Sequence, residues 1–260
     1  DTSLMPTLFS KSKAFVAQEK EKKMNDFWLK CSIYSFSQIN NPYEYNRDLL
    51  IELLKRISEF TSDRVHGYEK VVLILFRLGV TVLTQPYISG TRAFGVTMIL
   101  GGKPCIVITD MNKKYHKLWI NLLHELYHVL NDFDILENLL YHISDSETPE
   151  LLLNEERADK FALDALVNPT IQKELGRIVT LPFKMNQLAN KLNVDISILY
   201  GIYLEALPKG EKKNKEFAKY GGMLKSSDVA VRRIEFDAVP KHSLNGAIEK
   251  MKKELFRISV

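Results

Sequence analysis

The segment HELYH, His124 to His128, sets two histidines four residues apart with Glu125 directly after the first. On a helix, residues i and i+4 share a face, so both imidazoles can reach one metal ion. Zinc accepts neutral imidazole nitrogens at about 2.0–2.1 Å in a tetrahedral set. Glu125 is rotated by roughly 100° from His124. That places it beside the metal without making it a ligand, where it can take a proton from metal-bound water. Three fixed residues make a short signature, met by chance in about one chain in a hundred of this length. The competing reading is a pair of satisfied core histidines.

A catalytic zinc site takes three protein ligands, so a third must be sought. The stretch NEERAD, residues 154–159, offers Glu155 as that ligand. Asp159 lies four residues further on the same helix face. There it can accept the outer ring N–H of a ligating histidine and fix the ring's orientation. Ala158 and Ala162 are small enough to let the two helices approach closely. Glu156 and Arg157 are expected on the solvated side, which is also the ordinary fate of an acidic stretch like this one.

The elements that must carry these residues can be read from periodicity. Leu118, Trp119, Leu122, Leu123, Leu126, Val129 and Leu130 predict a long apolar helix from about Lys114 to Asp132. Asn121, His124 and His128 interrupt it, and buried imidazoles without partners would be costly. A second helix begins near Thr148, a suitable N-cap, with Pro149 at its first position. Asn168-Pro169 ends it. Residues 1–65 read as helical, with Leu49, Leu50, Leu53, Leu54 and Ile57 at helical spacing. A further helix spans Val65 to Leu78 and ends at Gly79. VTVLTQ, residues 80–85, reads as a strand. FGVTMILGGKPCIVIT, residues 94–109, reads as a hairpin turning at Gly101-Gly102, with Pro104 tolerable only near a strand end or edge. Two more helices occupy 183–207. Beyond Gly210 the periodicity weakens, with a loop at Gly221-Gly222 and a last amphipathic helix near Leu244 to Phe256. The fold class is α+β: mostly helical, with a small antiparallel sheet packed beside the HExxH helix. Three regions follow: an N-terminal helical region over 1–65, a domain over 66–207 that carries both motifs, and a basic C-terminal extension over 208–260.

With 260 residues, 45% hydrophobic and 26% charged, the chain can bury a sizeable core. Cys31 and Cys105 are the only cysteines and form no CxxC, which excludes a cysteine zinc ribbon and suits a reducing cytoplasm. No apolar run reaches the ~18 residues of a membrane span, and the N-terminus has no apolar signal core. The chain opens on Asp1 rather than methionine, which reads as a trimmed boundary or a cleavage scar. Net charge is +4, unevenly spread: Lys209 to Val260 carries 13 Lys and Arg against 7 Asp and Glu. Such a tail could meet nucleic acid or an acidic partner, or be an ordinary solvated surface.

HELYH followed by NEERADKFALDALVNP resembles the ImmA/IrrE family of bacterial metallopeptidase-like proteins, over about residues 5–205. The second element carries Glu155, Ala158, Asp159, Phe161, Ala162, Ala165 and Leu166. Ala165 stands where leucine is usual, Pro169 falls one residue late, and Tyr127 replaces a frequent glycine, where its ring could narrow the substrate cleft. The resemblance implies that His124, His128 and Glu155 bind one Zn2+, or another divalent metal, and that Glu125 is the general base. It implies a cytoplasmic peptidase making a specific cut in a protein substrate such as a transcriptional repressor, with no membrane partner and with homodimerisation open. In longer members a DNA-binding helix-turn-helix precedes this region and is absent here. The alternative is a transcription regulator or antitoxin-like protein whose peptidase-like domain is a sensor or interaction module. An oxyanion donor is also required; Tyr127, Tyr141 and His142 are near in sequence, and spacing selects none of them. FGVTMIL is a candidate edge for holding substrate as an added strand. MNQLANKLNVDISILYGIYL, residues 185–204, has helix-turn-helix spacing, but its second helix lacks base-reading side chains and reads as packing.

Overall fold

The apolar run from Leu118 to Leu130 forms α4 (Tyr115–Asn131), and the other elements are arranged around it. The computed structural model describes residues 13–85, 94–138, 142–143, 149–231 and 236. In chain order these give α1 (Lys13–Ile39), α2 (Arg47–Leu54), a 3-10 helix over Ile57–Ser62, α3 (Gly67–Arg77), β1 (Thr81–Gln85), β2 (Gly95–Leu100) and β3 (Lys103–Thr109). After α4 come α5 (Phe133–Asn138), β4 (His142–Ile143), α6 (Pro149–Leu166), α7 (Pro169–Ile178), α8 (Pro182–Leu192), α9 (Ile196–Glu205) and α10 (Glu211–Tyr220). Thr148, Tyr141 and the helix expected near Leu244 to Phe256 lie outside the described residues. No described helix is long and apolar enough to cross a membrane.

The fold is α+β, mostly helical, with one small sheet in the order β1-β3-β2-β4. β2 and β3 form the expected hairpin, its turn made by Gly101 and Gly102 at φ +59° and +75°. Both central residues of such a tight turn need positive φ, which glycine adopts without penalty. Pro104 is the second residue of β3, one position before pairing with β1 begins at Thr81↔Cys105, so its missing N–H removes nothing from that ladder. The sheet is mixed rather than wholly antiparallel: β1 joins β3 in parallel. Parallel pairing is typical of sheets covered on both faces, and that is the situation here.

Alternation along the strands explains the two faces. Val82, Ile106 and Ile108 belong to the cluster built on α4. Leu83, Val96, Met98, Cys105 and Val107 point the other way, onto Trp28, Leu29, Phe36 and Ile39 of α1. Cys31 and Cys105 are both buried and free. On its other flanks α4 packs on α6 and α9. Ala158 and Ala162 are fully buried on α6, which allows the close approach that their size suggests.

The chain beyond 208 contributes to the same core through Tyr220, Leu224 and Ala230. It also supplies the N-terminus of α4, which has no side-chain cap: the Tyr115 N–H donates to the Lys225 carbonyl at 2.9 Å. Residues 211–220, weakly periodic in sequence, form α10, and Gly221–Met223 continues as a 3-10 turn rather than an open loop. Lysine, glutamate and alanine are good helix formers, and Tyr203 Oη donates to Glu216 at 2.7 Å to hold α10 on α9. Seven of the ten residues of α9 are buried, from Ser197 to Leu204, in keeping with a packing helix.

Replacing Ala162 by leucine adds volume where α6 meets α4. Overpacking of this kind costs about 1–3 kcal/mol. Ala162→Leu should lower the denaturant midpoint accordingly; a midpoint equal to that of the native chain would mean the helices can part freely.

Candidate metal centre

His124 and His128 lie one turn apart on α4 with ring centroids 5.0 Å apart. Their Nε2 atoms converge, 3.2 Å from one another. Glu155 reaches in from α6: its Oε2 is 3.1 Å from His124 Nε2 and its Oε1 is 3.2 Å from His128 Nε2. Tetrahedral ligands about 2.0–2.1 Å from zinc stand roughly 3.3 Å from each other. One ligand atom from each of the three residues lies within 4.8 Å of the other two, close enough to share one ion, and the donor set of two imidazoles and a carboxylate is one that zinc accepts. Among the described residues, His124, His128 and Glu155 form the one such cluster of potential ligands.

The outer ring nitrogens are held too. His124 Nδ1 lies 2.9 Å from Asp159 Oδ1, and His128 Nδ1 lies 2.7 Å from Asp132 Oδ2. An Nδ1–H bonded to a carboxylate leaves Nε2 as the donor toward a metal and stops the ring from turning. Asp159 occupies the place expected of it, with its side chain 74% exposed. Asp132 is 3% exposed and was not singled out in the sequence. The signal was present: it stands four residues after His128, one further turn along the same face. Glu156 and Arg157 face solvent, as expected.

Glu125 is 1% exposed and points to the sheet. Thr97 Oγ1 on β2 donates to its Oε2 at 2.5 Å. Its charge is felt by both histidines. Tyr127 is half-buried; its ring meets Phe161 of α6 at 5.6 Å and His128 at 5.7 Å, so the bulky residue is accommodated by the aromatic of the second motif. Of the other residues considered as oxyanion donors, His142 lies in β4, its backbone paired with Thr97. β4 also covers Val96 and Thr97, so that part of β2 is an inner strand rather than a free edge. A separate groove of about 650 Å³, bordered by Leu53, Arg56, Phe60, Asp63, Lys70 and Asn193, shares no residue with the triad.

The site holds protons strongly. Burial is the largest influence on His124 and opposes its charged form, yet hydrogen bonds to Asp159 and Glu155, with the charge of Glu125, outweigh it and raise the pKa to about 10. For His128, burial is again outweighed, by Asp132, Glu155 and Glu125, and the pKa rises to about 9. An imidazolium N–H can thus face the Glu155 carboxylate where a cation would otherwise sit.

No protein-family profile matches this chain, no curated protein matches it, and no solved structure matches it. The family likeness rests on sequence features, HELYH and NEERADKFALDALVNP foremost.

A metal must displace protons held with raised pKa values, so its apparent affinity should climb as pH rises toward about 9–10. For the metal-free protein the sign is opposite. Groups with raised folded pKa values stabilise fully below their ordinary 6.5, and that contribution fades as pH passes through about 9 and then 10. Zinc titrations in buffers of different ionisation enthalpy should show proton release on binding near pH 7. Binding without proton release, at an affinity independent of pH, would contradict this electrostatic picture.

Proposed function

We propose that this protein is a zinc-dependent metallopeptidase of the ImmA/IrrE type. The observation that carries the reading is the convergence of His124, His128 and Glu155 on one point beside a buried carboxylate, Glu125. His124, His128 and Glu155 would hold the zinc ion, which would supply a Lewis acid and a water more acidic than free water. Glu125 would accept a proton from the attacking water and deliver it to the leaving nitrogen. Asp159 and Asp132 keep the two imidazoles oriented with Nε2 inward. Glu155 adds a negative ligand.

The family likeness further supports a narrow role in the cytoplasm, the specific cutting of a regulatory protein such as a transcriptional repressor.

Glu125→Gln keeps the size of the side chain and removes the proton acceptor. Cleavage of a quenched fluorescent peptide library by the zinc-loaded protein should fall about 100-fold or more, with zinc content and unfolding midpoint unchanged. Native cleavage rates in that variant would sink the mechanism.

A further inference from the structure

Glu125 reaches its place from α4, but what fixes its carboxylate is on β2. The strand alternates: Val96 and Met98 point to α1, so Gly95 and Thr97 point to α4. Gly95 has no side chain, and a Cβ there would stand 2.3 Å from Glu125 Oε1, 2.7 Å from Cδ and 2.8 Å from Cγ. Any larger residue would overlap the whole carboxyl end, so glycine makes room for it. Two residues along the same face, the Thr97 hydroxyl donates to Oε2. The strand is tied on both sides at Thr97, to Ile106 of β3 and to His142 of β4. A β-branched side chain on a strand paired at both edges is a stiff mount.

We propose that Gly95 and Thr97 are positioning residues for the proton acceptor: a glycine slot admits the Glu125 carboxylate, and the Thr97 hydroxyl fixes the orientation of that carboxylate. The proposal rests on the reading of Glu125 given above and names what aims it. A glutamate on a helix has three rotatable bonds, whose ordering costs conformational entropy. Fixing it beforehand on a rigid strand removes that cost from the reaction. A threonine on the core side of a strand otherwise built of Val, Met, Ile and Leu is also hard to explain by packing, since valine has the same shape without a hydroxyl to satisfy.

The test uses the full chain carrying Thr97→Val, Thr97→Ser, Glu125→Gln, the Thr97→Val/Glu125→Gln double variant, and Gly95→Ala as a steric route to the same effect. Zinc affinity by chelator competition should stay within about threefold in Thr97→Val, Thr97→Ser and Gly95→Ala, none of which alters a ligand or a charge. With the peptide library, Thr97→Val and Gly95→Ala should lower kcat about 10- to 100-fold at unchanged KM, and Thr97→Ser should restore it. The cobalt-loaded proteins give a readout independent of turnover. The pH midpoint of the visible spectrum should move in Glu125→Gln, move in the same direction in Thr97→Val, and move no further in the double variant. A native midpoint and native kcat in both Thr97→Val and Gly95→Ala would overturn the positioning role while leaving the metallopeptidase reading intact. An additive shift in the double variant would overturn it as well, by showing that Thr97 acts apart from Glu125. Failure of every protein, native included, to bind zinc or cobalt would overturn both.

Discussion

One carboxylate of α6, Glu155, lies between two imidazole nitrogens of α4, and the rest of the site depends on that meeting. It requires two helices to run within reach of each other, which the buried alanines Ala158 and Ala162 permit. It also requires three polar groups to be placed where apolar packing would otherwise be cheaper. The surrounding residues offset that cost: Asp132 and Asp159 take the outer ring nitrogens, leaving the inner ones aimed at a single point. A histidine pair that existed only for packing would not need two carboxylates behind it and a third in front.

The sheet and its backing explain why α4 can hold this geometry. One strand face packs on α4 and the other on α1, so β2 is confined from both sides. Trp119 is fully buried, edge-on to Tyr68 at 5.7 Å and to Tyr115 at 6.3 Å. Tyr115 Oη donates to the Thr61 carbonyl at 2.9 Å and ties the start of α4 to the 3-10 helix. The segment 225–227 closes the same end through backbone hydrogen bonds. Helix, sheet and C-terminal segment thus act on one element, the one that carries both histidines.

What was legible in the sequence was local. The i, i+4 spacing places His124 and His128 on one face, and Glu155 and Asp159 on another, because helical geometry alone decides it. The hairpin at Gly101-Gly102 was legible for the same reason. Asp132 was in plain view at the next turn, yet it reads as one more acid at a helix end. Thr97 needed two non-local facts, which strand face meets α4 and which residue of α4 lies opposite. The parallel pairing of β1 with β3 depends on a crossover that no short pattern encodes. α10 escaped because a charged helix shows little periodicity when only Phe217 and Tyr220 pack inward.

The central claim is that three side chains from two helices bind a metal. The most direct test is the metal content of the purified chain by mass spectrometry, without added metal. The account predicts about one zinc per chain, lost in His128→Ala while the protein remains folded. A folded native chain with no bound metal, even after zinc is supplied, would contradict it and leave the histidine pair as a structural feature of the α4–α6 contact.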